Sequence, residues 1–573
     1  MKYIFIIALA MIVATAAKSV NAQTPGNCPL HRFGDANCDC RVDETDKAIL
    51  MEEYLGTAST VRANFDGIST CRSRNSVSKY VCLADHQIWI SNNGKICAGE
   101  TSQPSPTSTL TPAPIVAVSA VPAFPGAEGF GSATSGGRNG AVLVVTNTND
   151  SGPGSLRAAI DAFGPRIVVF KTGGAITLRS KLIVKNPSIT IAAQTAPGDG
   201  IYLRNSGLII ATHDVIVRGL RVRVGDDPNG TNPTTRDGIT ISSSETGQDI
   251  YNVIVDHSSV SWGIDENMST WTTKVHDVTV QWSIVSEALY NSIHIDEGAS
   301  VTAPHSMGFL IGDSSRNISI HHNLFAHNND RNPVMNGGTR VEVINNVLYN
   351  WGSKFGIKFV SRVYPSSDPD GFMPDSANVI GNYGIPGVNS STTSKVILIE
   401  RDLLPYEEGS RIYVKGNIGP GRLQDTGNEF DAVRIESIVN PKPGDQQNAN
   451  VLISTPAFAG SGISTLSATD AYTQVLDKVG ATAPKRDIVD ARVINSVRNR
   501  TGQRINSQNE VGGFPVFSAG TSAPDTDNDG MPDAWEQSTG VSNPAVADAN
   551  TITQSGYTAI ELYINSFFPA GSL

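Results

Sequence analysis

Long Glu/Lys/Ala/Leu stretches are missing from the 573-residue sequence, and charged side chains make up only 17% of it, against about 25% in an average soluble chain. A coiled coil, a polyelectrolyte tail and a charge-dominated disordered chain are thereby excluded. Cysteine is absent after Cys97: all six, Cys28, Cys38, Cys40, Cys71, Cys82 and Cys97, lie in one N-terminal stretch. Beyond residue 22 no apolar run approaches the roughly 20 residues that a membrane-spanning helix needs. An excess of base is lacking too. With 43 Lys plus Arg against 54 Asp plus Glu, the net charge is −11, which argues against nucleic-acid binding, since that needs a basic surface to displace counterions. A polyanionic ligand would therefore need some other agent of neutralisation. Tight Asn-Gly hairpin signals between alternating strands are sparse, which disfavours a β-sandwich or barrel.

What is plentiful is Gly, with 54 residues, together with β-branched residues, Asn and Ser, the composition of a turn-rich β protein. Residues 1–22 carry Lys2, the apolar run IFIIALAMIVATAA and the small-residue ending Val20-Asn21-Ala22, the pattern of a cleavable signal peptide. The mature chain is expected to be secreted and soluble. In that setting the Cys-rich stretch, residues 23–100, reads as a small module stapled by up to three disulfides, whose 15 pairings the sequence does not separate. Residues 101–120, TSQPSPTSTLTPAPIVAVSA, form a Pro/Ser/Thr linker. After it, five segments share one pattern: DVIVRGLRVRVG from Asp214, NVIVDHSSVSWG from Asn252, DVTVQWSIVSEA from Asp277, NISIHHNLFAHN from Asn317 and RVEVINNVLYNW from Arg340. Each has a polar start, a short strand, a polar corner and a second apolar run. A unit of roughly 23 to 26 residues with insertions is a solenoid period. One such unit cannot bury its apolar face alone, whereas stacked units can. The expectation is an all-β, right-handed parallel β-helix over residues 121–519, with Asn323 and Asn346 as ladder residues at one bend. DIVDARVINSVRNRTGQ from Asp487 places Val489, Val493 and Val497 on one helical face, which predicts an amphipathic helix lying on the solenoid.

Two acidic loops carry the spacing of calcium ligands. In DTDNDGMPDAWE, Asp525, Asp527, Asp529, Asp533 and Glu536 stand at positions 1, 3, 5, 9 and 12, with Gly530 at 6 and the Met531 carbonyl at 7, the EF-hand pattern of oxygen donors around a hard cation. Pro524 precludes a continuous entering helix, so residues 520–573 read as an appended, EF-hand-like structural tail. In DANCDCRVDETD, Asp35, Asn37, Asp39, Asp43 and Asp46 hold positions 1, 3, 5, 9 and 12, and KAILMEEYLG follows as an exiting helix. This loop resembles a type I dockerin, which implies Ca2+ there and a cohesin as candidate partner. Cys40 replaces the expected turn glycine, and a second, interrupted copy runs from Asn64 to Trp89 with Asp85 as its last ligand.

AFPGAEGFGSATSGGRNG from Ala123, VTNTNDSGPGSLRAAI from Val145, GPRIVVFKTGGAI from Gly164, IAAQTAPGDGI from Ile191, VDHSSVSWGIDE from Val255 and ISIHHNLFAHNNDRNP from Ile318 resemble the polysaccharide lyase family 1 pectate lyases. The resemblance runs from about residue 121 to the C-terminus. It implies a parallel β-helix, calcium-dependent β-elimination of polygalacturonate, and a set of site residues. Arg331, in DRNP, matches the family's base or proton relay. Asp237 and Asp265, with Glu266 as neighbour, match its calcium ligands, and Ser269 stands where a further carboxylate is often found. Asn336 replaces the second arginine, leaving Arg340 as the nearest substitute, and His305 is the candidate for a substrate-binding lysine. His257, His321 and His322 follow strand residues and read as ladder or core histidines. A glycoside hydrolase would need two carboxylates flanking the scissile bond, whereas the adjacent pair Asp226 and Asp227 lies in a loop-like stretch. The competing reading of another class is a noncatalytic pectin-binding or adhesive β-helix, which would bind the polymer and release nothing.

Overall fold

The structure, a computed structural model, describes residues 121–568 except 297–298, 353–354, 361–374, 392–394, 402–409 and 438–451. The Cys-rich segment, including Asp35, Asn37, Asp39, Asp43 and Asp46, lies outside the described residues, as do the leader and the linker. All described residues belong to one compact unit, Val116–Leu573.

Successive strands do not pair with their sequence neighbours. They deal out in turn to three sheets, each wholly parallel, with 11, 9 and 8 strands among the described residues. This is a parallel β-helix. The repeated segments are its rungs. In every one the first run enters the 11-stranded sheet (Val215–Arg218, Val253–Asp256, His276–Gln281, Arg316–His321 and Arg340–Ile344), and the second enters the 8-stranded sheet (Arg221–Arg223, Ser259–Ser261, Ile284–Ser286, Leu324–Ala326 and Val347–Tyr349). Register holds like residues in columns: Val215, Val253, Val278, Ile318, Val341, Ala377 and Ile412 are successive partners, and all are buried. Stacking is what lets short β-branched runs form a core, because parallel strands buried on both faces need continuous apolar columns.

The polar corner between the two runs has a physical cause. One residue at each corner takes a positive φ: Gly219, His257, Trp282, His322, Asn345, Gly381 and Gly416. The residue after it turns its side chain inward. Asn323, Asn346, Asn382 and Asn417 form a buried amide ladder in which each Nδ2 donates to the Oδ1 of the next at 2.9–3.0 Å, and each also donates to a strand carbonyl of the preceding rung. A buried amide is tolerable only when satisfied in this way. Two of the four were legible in the sequence.

Two outer faces of the solenoid are covered. Helices α2 (Ala468–Lys478) and α3 (Ile488–Asn499) pack Val475, Leu476, Val493 and Val497 against Ile284, Leu324 and Val347 of the 8-stranded sheet, after α1 (Leu156–Asp161) has closed the first rung. The predicted helix is α3, and α2 was not foreseen. On the 11-stranded sheet, α4 (Asp533–Thr539) and α5 (Ala559–Asn565) flank a cluster joining Met531, Ile560 and Ile564 to Ile167 and Val169. The C-terminal tail is thus packed into the solenoid rather than appended to it, because its apolar residues share that sheet's core. No helix among the described residues is long and apolar enough to cross a membrane. Among the described residues, the outer face of the 9-stranded sheet carries the site.

Candidate active site

The 9-stranded sheet brings sequence-distant residues to adjacent rungs. Pairing of Ile239 with Met268 sets Asp237 beside Glu266, whose N–H donates to Asp237 Oδ1 at 3.2 Å. Glu266 in turn pairs with Met307, and Met307 bridges to Asp330. Rungs lie about 4.8 Å apart, so long side chains reach across one. The Arg331 guanidinium does so and contacts the Glu266 carboxylate. Arg331 has a left-handed φ of 60°, and its own N–H is held by Asp330 Oδ1 at 2.7 Å. Asp237, Asp265 and Glu266 each offer an oxygen within 4.8 Å of the others. Thr240 Oγ1 donates to Asp237 Oδ2 at 2.6 Å, and Ser269 Oγ reaches the same oxygen at 3.4 Å. The hydroxyl that stands where a further carboxylate was sought therefore orients Asp237. Burial, followed by the Asp265 charge, pushes the Asp237 carboxyl up to about 7, as expected of crowded carboxylates.

These residues line one open groove of roughly 1040 Å³. Its walls carry three basic residues, Lys181, Arg331 and Lys358, and seven acidic ones, Asp237, Glu245, Asp265, Glu266, Asp296, Asp330 and Glu400. The imbalance, and the three convergent carboxylates, fit a hard divalent cation.

Other expected site residues fall differently. His305 lines the groove, but its Nε2 lies 2.9 Å from Asp265 Oδ1 and its ring stacks on His294, so it is engaged with the acidic set. Asn336 also lines the groove, with its amide bound to Asp313 Oδ1 at 2.8 Å. Arg340 does not reach the groove: its strand belongs to the 11-stranded sheet, where the guanidinium lies over the Phe458 ring at 4.2 Å and bonds Asn317. The nearest arginine in sequence is on the wrong face, because the chain turns a corner before it. His257, Trp282 and His322 are buried and stacked at one corner, and burial pushes His321 down to about 4.

Sequence reasoning missed two groove cations, Lys181 and Lys358, and Lys358 is the one beside Asp330. It stands in the run FGIKFV, paired with Val334 one rung beyond Arg331, with its ammonium 2.9 Å from Glu400 and 3.5 Å from Asp330. Burial acts to lower its pKa, but Asp330 and Glu400 more than offset that and hold it above the ordinary lysine value. A lone basic residue inside an apolar strand was the available signal.

In the tail, Asp525, Asp527 and Asp529 converge, and Asp529 meets Glu536 and Asp548. Asp525 Oδ1, Asp527 Oδ2, both Glu536 oxygens and Asp548 Oδ1 are buried without a hydrogen-bond donor. Burial pushes Glu536 up to about 7 and Asp529 to about 6. Asp533 departs from the expected ligand set: it begins α4 and binds the N–H and Oγ1 of Thr526, both at 2.7 Å, while Asp548, 23 residues after the first ligand, joins instead. The Met531 side chain is buried in the core beneath the loop.

No protein-family model matches the chain. It is 35% identical over 455 residues to the "Probable pectate lyase C" of Aspergillus oryzae, covering 79% of this chain and 95% of the fungal protein. The namesake from Emericella nidulans is likewise 35% identical over 455 residues, covering 78% and 93%. The chain belongs to the pectate lyases. This lyase is accordingly a polysaccharide lyase on a parallel β-helix. Among solved structures it is similar to a Bacillus pectate lyase in complex with trigalacturonate (17% identity, TM-score 0.40, covering 62% of this chain and 98% of that one). The cedar-pollen allergen jun a 1 is another (18% identity, TM-score 0.39, 62% and 92%).

Proposed function

We propose that this pectate lyase is a secreted, calcium-dependent enzyme that cleaves 1,4-linked polygalacturonate by β-elimination, with Arg331 and the Asp237–Asp265–Glu266 set as its chemical centre. The observation that carries this reading is their position on one wall of one groove, the guanidinium touching Glu266. Lysis breaks the C5–H bond beside the uronate carboxylate. The electron pair left at C5 becomes the C4–C5 double bond as the C4–O bond breaks, and the departing oxygen takes up a proton. Calcium held by the three carboxylates would neutralise the uronate as a Lewis acid, which favours the transition state because charge there is rising. Arg331 stabilises the same anion with its fork of donors, and it takes the C5 proton on a nitrogen that has first given its own proton to solvent, its side chain being 25% exposed. Asp330 fixes the turn that aims it. Lys358 takes a neighbouring uronate, and Thr240 and Ser269 hold Asp237 in register.

The tail's carboxylates bind a second, structural Ca2+ through Asp525, Asp527, Asp529, Glu536 and Asp548, a reading supported by their buried, donorless oxygens. Residues 1–22 serve as the export signal, and 23–100 form the dockerin-like module, with Ca2+ at Asp35, Asn37, Asp39, Asp43 and Asp46 and a cohesin as partner. The direct test is incubation of the purified protein with demethylated polygalacturonate. An unsaturated, ultraviolet-absorbing product that appears with calcium and disappears with chelator supports the reading. Release of saturated reducing ends alone would mean hydrolysis and sink it.

A further inference from the structure

Asp265 belongs to two overlapping groups of ligands. Besides the all-oxygen set with Asp237 and Glu266, one of its oxygens lies within 4.8 Å of a ring nitrogen from each of His294 and His305. Both histidines come from the connection between strands Ile284–Ser286 and Met307–Ile311, and backbone bonds fix where they stand: Ala303 N to His294 O at 3.0 Å, and His305 N to Tyr290 O at 2.8 Å. The two imidazoles stack with centroids 3.8 Å apart. His294 is 3% exposed. Its Nε2 is 3.1 Å from Asp296 Oδ1, so Nδ1 is the ring nitrogen that this carboxylate leaves unengaged. That Nδ1 is buried with no hydrogen-bond partner. His305 Nε2 stands 2.9 Å from Asp265, off the hydrogen-bond line. A buried, unpartnered imidazole nitrogen beside a second imidazole and a carboxylate is a donor set that a cation would complete. A carboxylate behind the far nitrogen is the usual support of a metal-ligating histidine.

We propose that Asp265, His294 and His305 form a site for a borderline divalent transition ion such as Zn2+, and that filling it draws Asp265 out of the neighbouring oxygen set and so antagonises calcium. Two imidazoles and one carboxylate suit zinc, cobalt or nickel, with a position left for water, whereas calcium prefers oxygen throughout. The antagonism rests on the calcium reading above; the binding site does not.

The test is titration of the full-length, chelator-stripped protein with Co2+, read by its visible absorption. One equivalent should give bands that His294→Ala abolishes and Zn2+ bleaches, while calcium-supported cleavage and the melting transition of the variant persist. Since His294 is buried, Asp296→Asn serves as a second variant: the Asp296 side chain is 62% exposed, and its loss should weaken cobalt binding by about 10- to 100-fold. Wild-type titration curves in both variants would overturn the site. In the activity arm, Zn2+ should inhibit cleavage, be relieved by excess calcium, and act at least about tenfold more weakly on His294→Ala. Equal inhibition of the variant would overturn the antagonism. If no calcium-supported cleavage is seen at all, the cobalt titration still decides the site.

Discussion

The groove and the tail hold similar carboxylate clusters in opposite circumstances. In the groove, protein donors already meet the oxygens: Glu266 N–H, Thr240 and Ser269 serve Asp237, and Arg331 serves Glu266. In the tail, five carboxylate oxygens are buried with no donor, and the nearest countercharge is Lys171 at 3.1 Å from Asp525. Buried unmet carboxylates are costly, so a cation bound in the tail, as proposed, would act on folding. A cluster open on one side, with its oxygens partly engaged, loses little when empty and keeps positions for a ligand's own oxygens. On the proposed reading, the same residue types divide into a structural and a chemical site by how far protein donors already meet their oxygens.

The comparison breaks most sharply at Arg331. Arg331→Ala should lower kcat by about 100- to 1,000-fold, the scale for losing a preorganised donor at developing charge, with the melting temperature nearly unchanged. A large fall in melting temperature instead would make Arg331 a structural ion pair. Glu536→Gln should do the converse. Calcium at 100 to 1,000 times its Kd stabilises a folded protein by about 3 to 4 kcal/mol, and the variant should lose most of that thermal increment while calcium-supported turnover, measured below the melting transition, persists. Asp237→Asn should raise the calcium needed for half-maximal cleavage by about tenfold or more and leave the thermal increment in place. If Glu536→Gln and Asp237→Asn gave interchangeable results, the division would fail.

The rungs were legible because stacking demands a repeated column, and a repeat is visible in one chain: the polar starts Asp214, Asn252, Asp277 and Asn317 all take the positive φ that Asp and Asn tolerate best. Arg331, Asp237 and Asp265 were legible from motifs. Lys358, Asp330 and Glu400 were not, since their meaning lies in register and not in spacing, and His294 and Asp548 were not, since irregular connections bring them to their partners. Lys358 enters the groove only because its strand pairs with Val334. Arg340 was a poor substitute for the same reason: nine residues from Arg331, it has already passed onto another sheet. Insertions between rungs erase any fixed offset between groove partners, whereas the offset within a corner, from His322 to Asn323 or from Asn345 to Asn346, survives.

The smallest expected effect concerns pH and distinguishes the clusters by proton competition. Asp237 and Glu536 are pushed up to about 7 and Asp529 to about 6, so between about pH 4 and 7 the metal-free native state holds protons that the unfolded chain has released. Stability from these groups is therefore greatest below pH 4 and falls as pH rises through that window. The buried histidines oppose this: His321 and His327 are pushed down to about 4 by burial, which makes stability rise over roughly the same range. A melting curve against pH in chelator alone would mix the two. The difference between calcium and chelator cancels the histidines, which lie outside either carboxylate set, and leaves the competition of calcium with protons. That difference should widen from pH 5 to pH 8. In Glu536→Gln it should be small throughout, because an amide has no proton to give up. In Asp237→Asn it should keep most of its slope, since the tail supplies two of the three raised carboxyls that the two clusters hold. A flat difference in the wild-type protein would mean that the tail oxygens are met by something other than a cation.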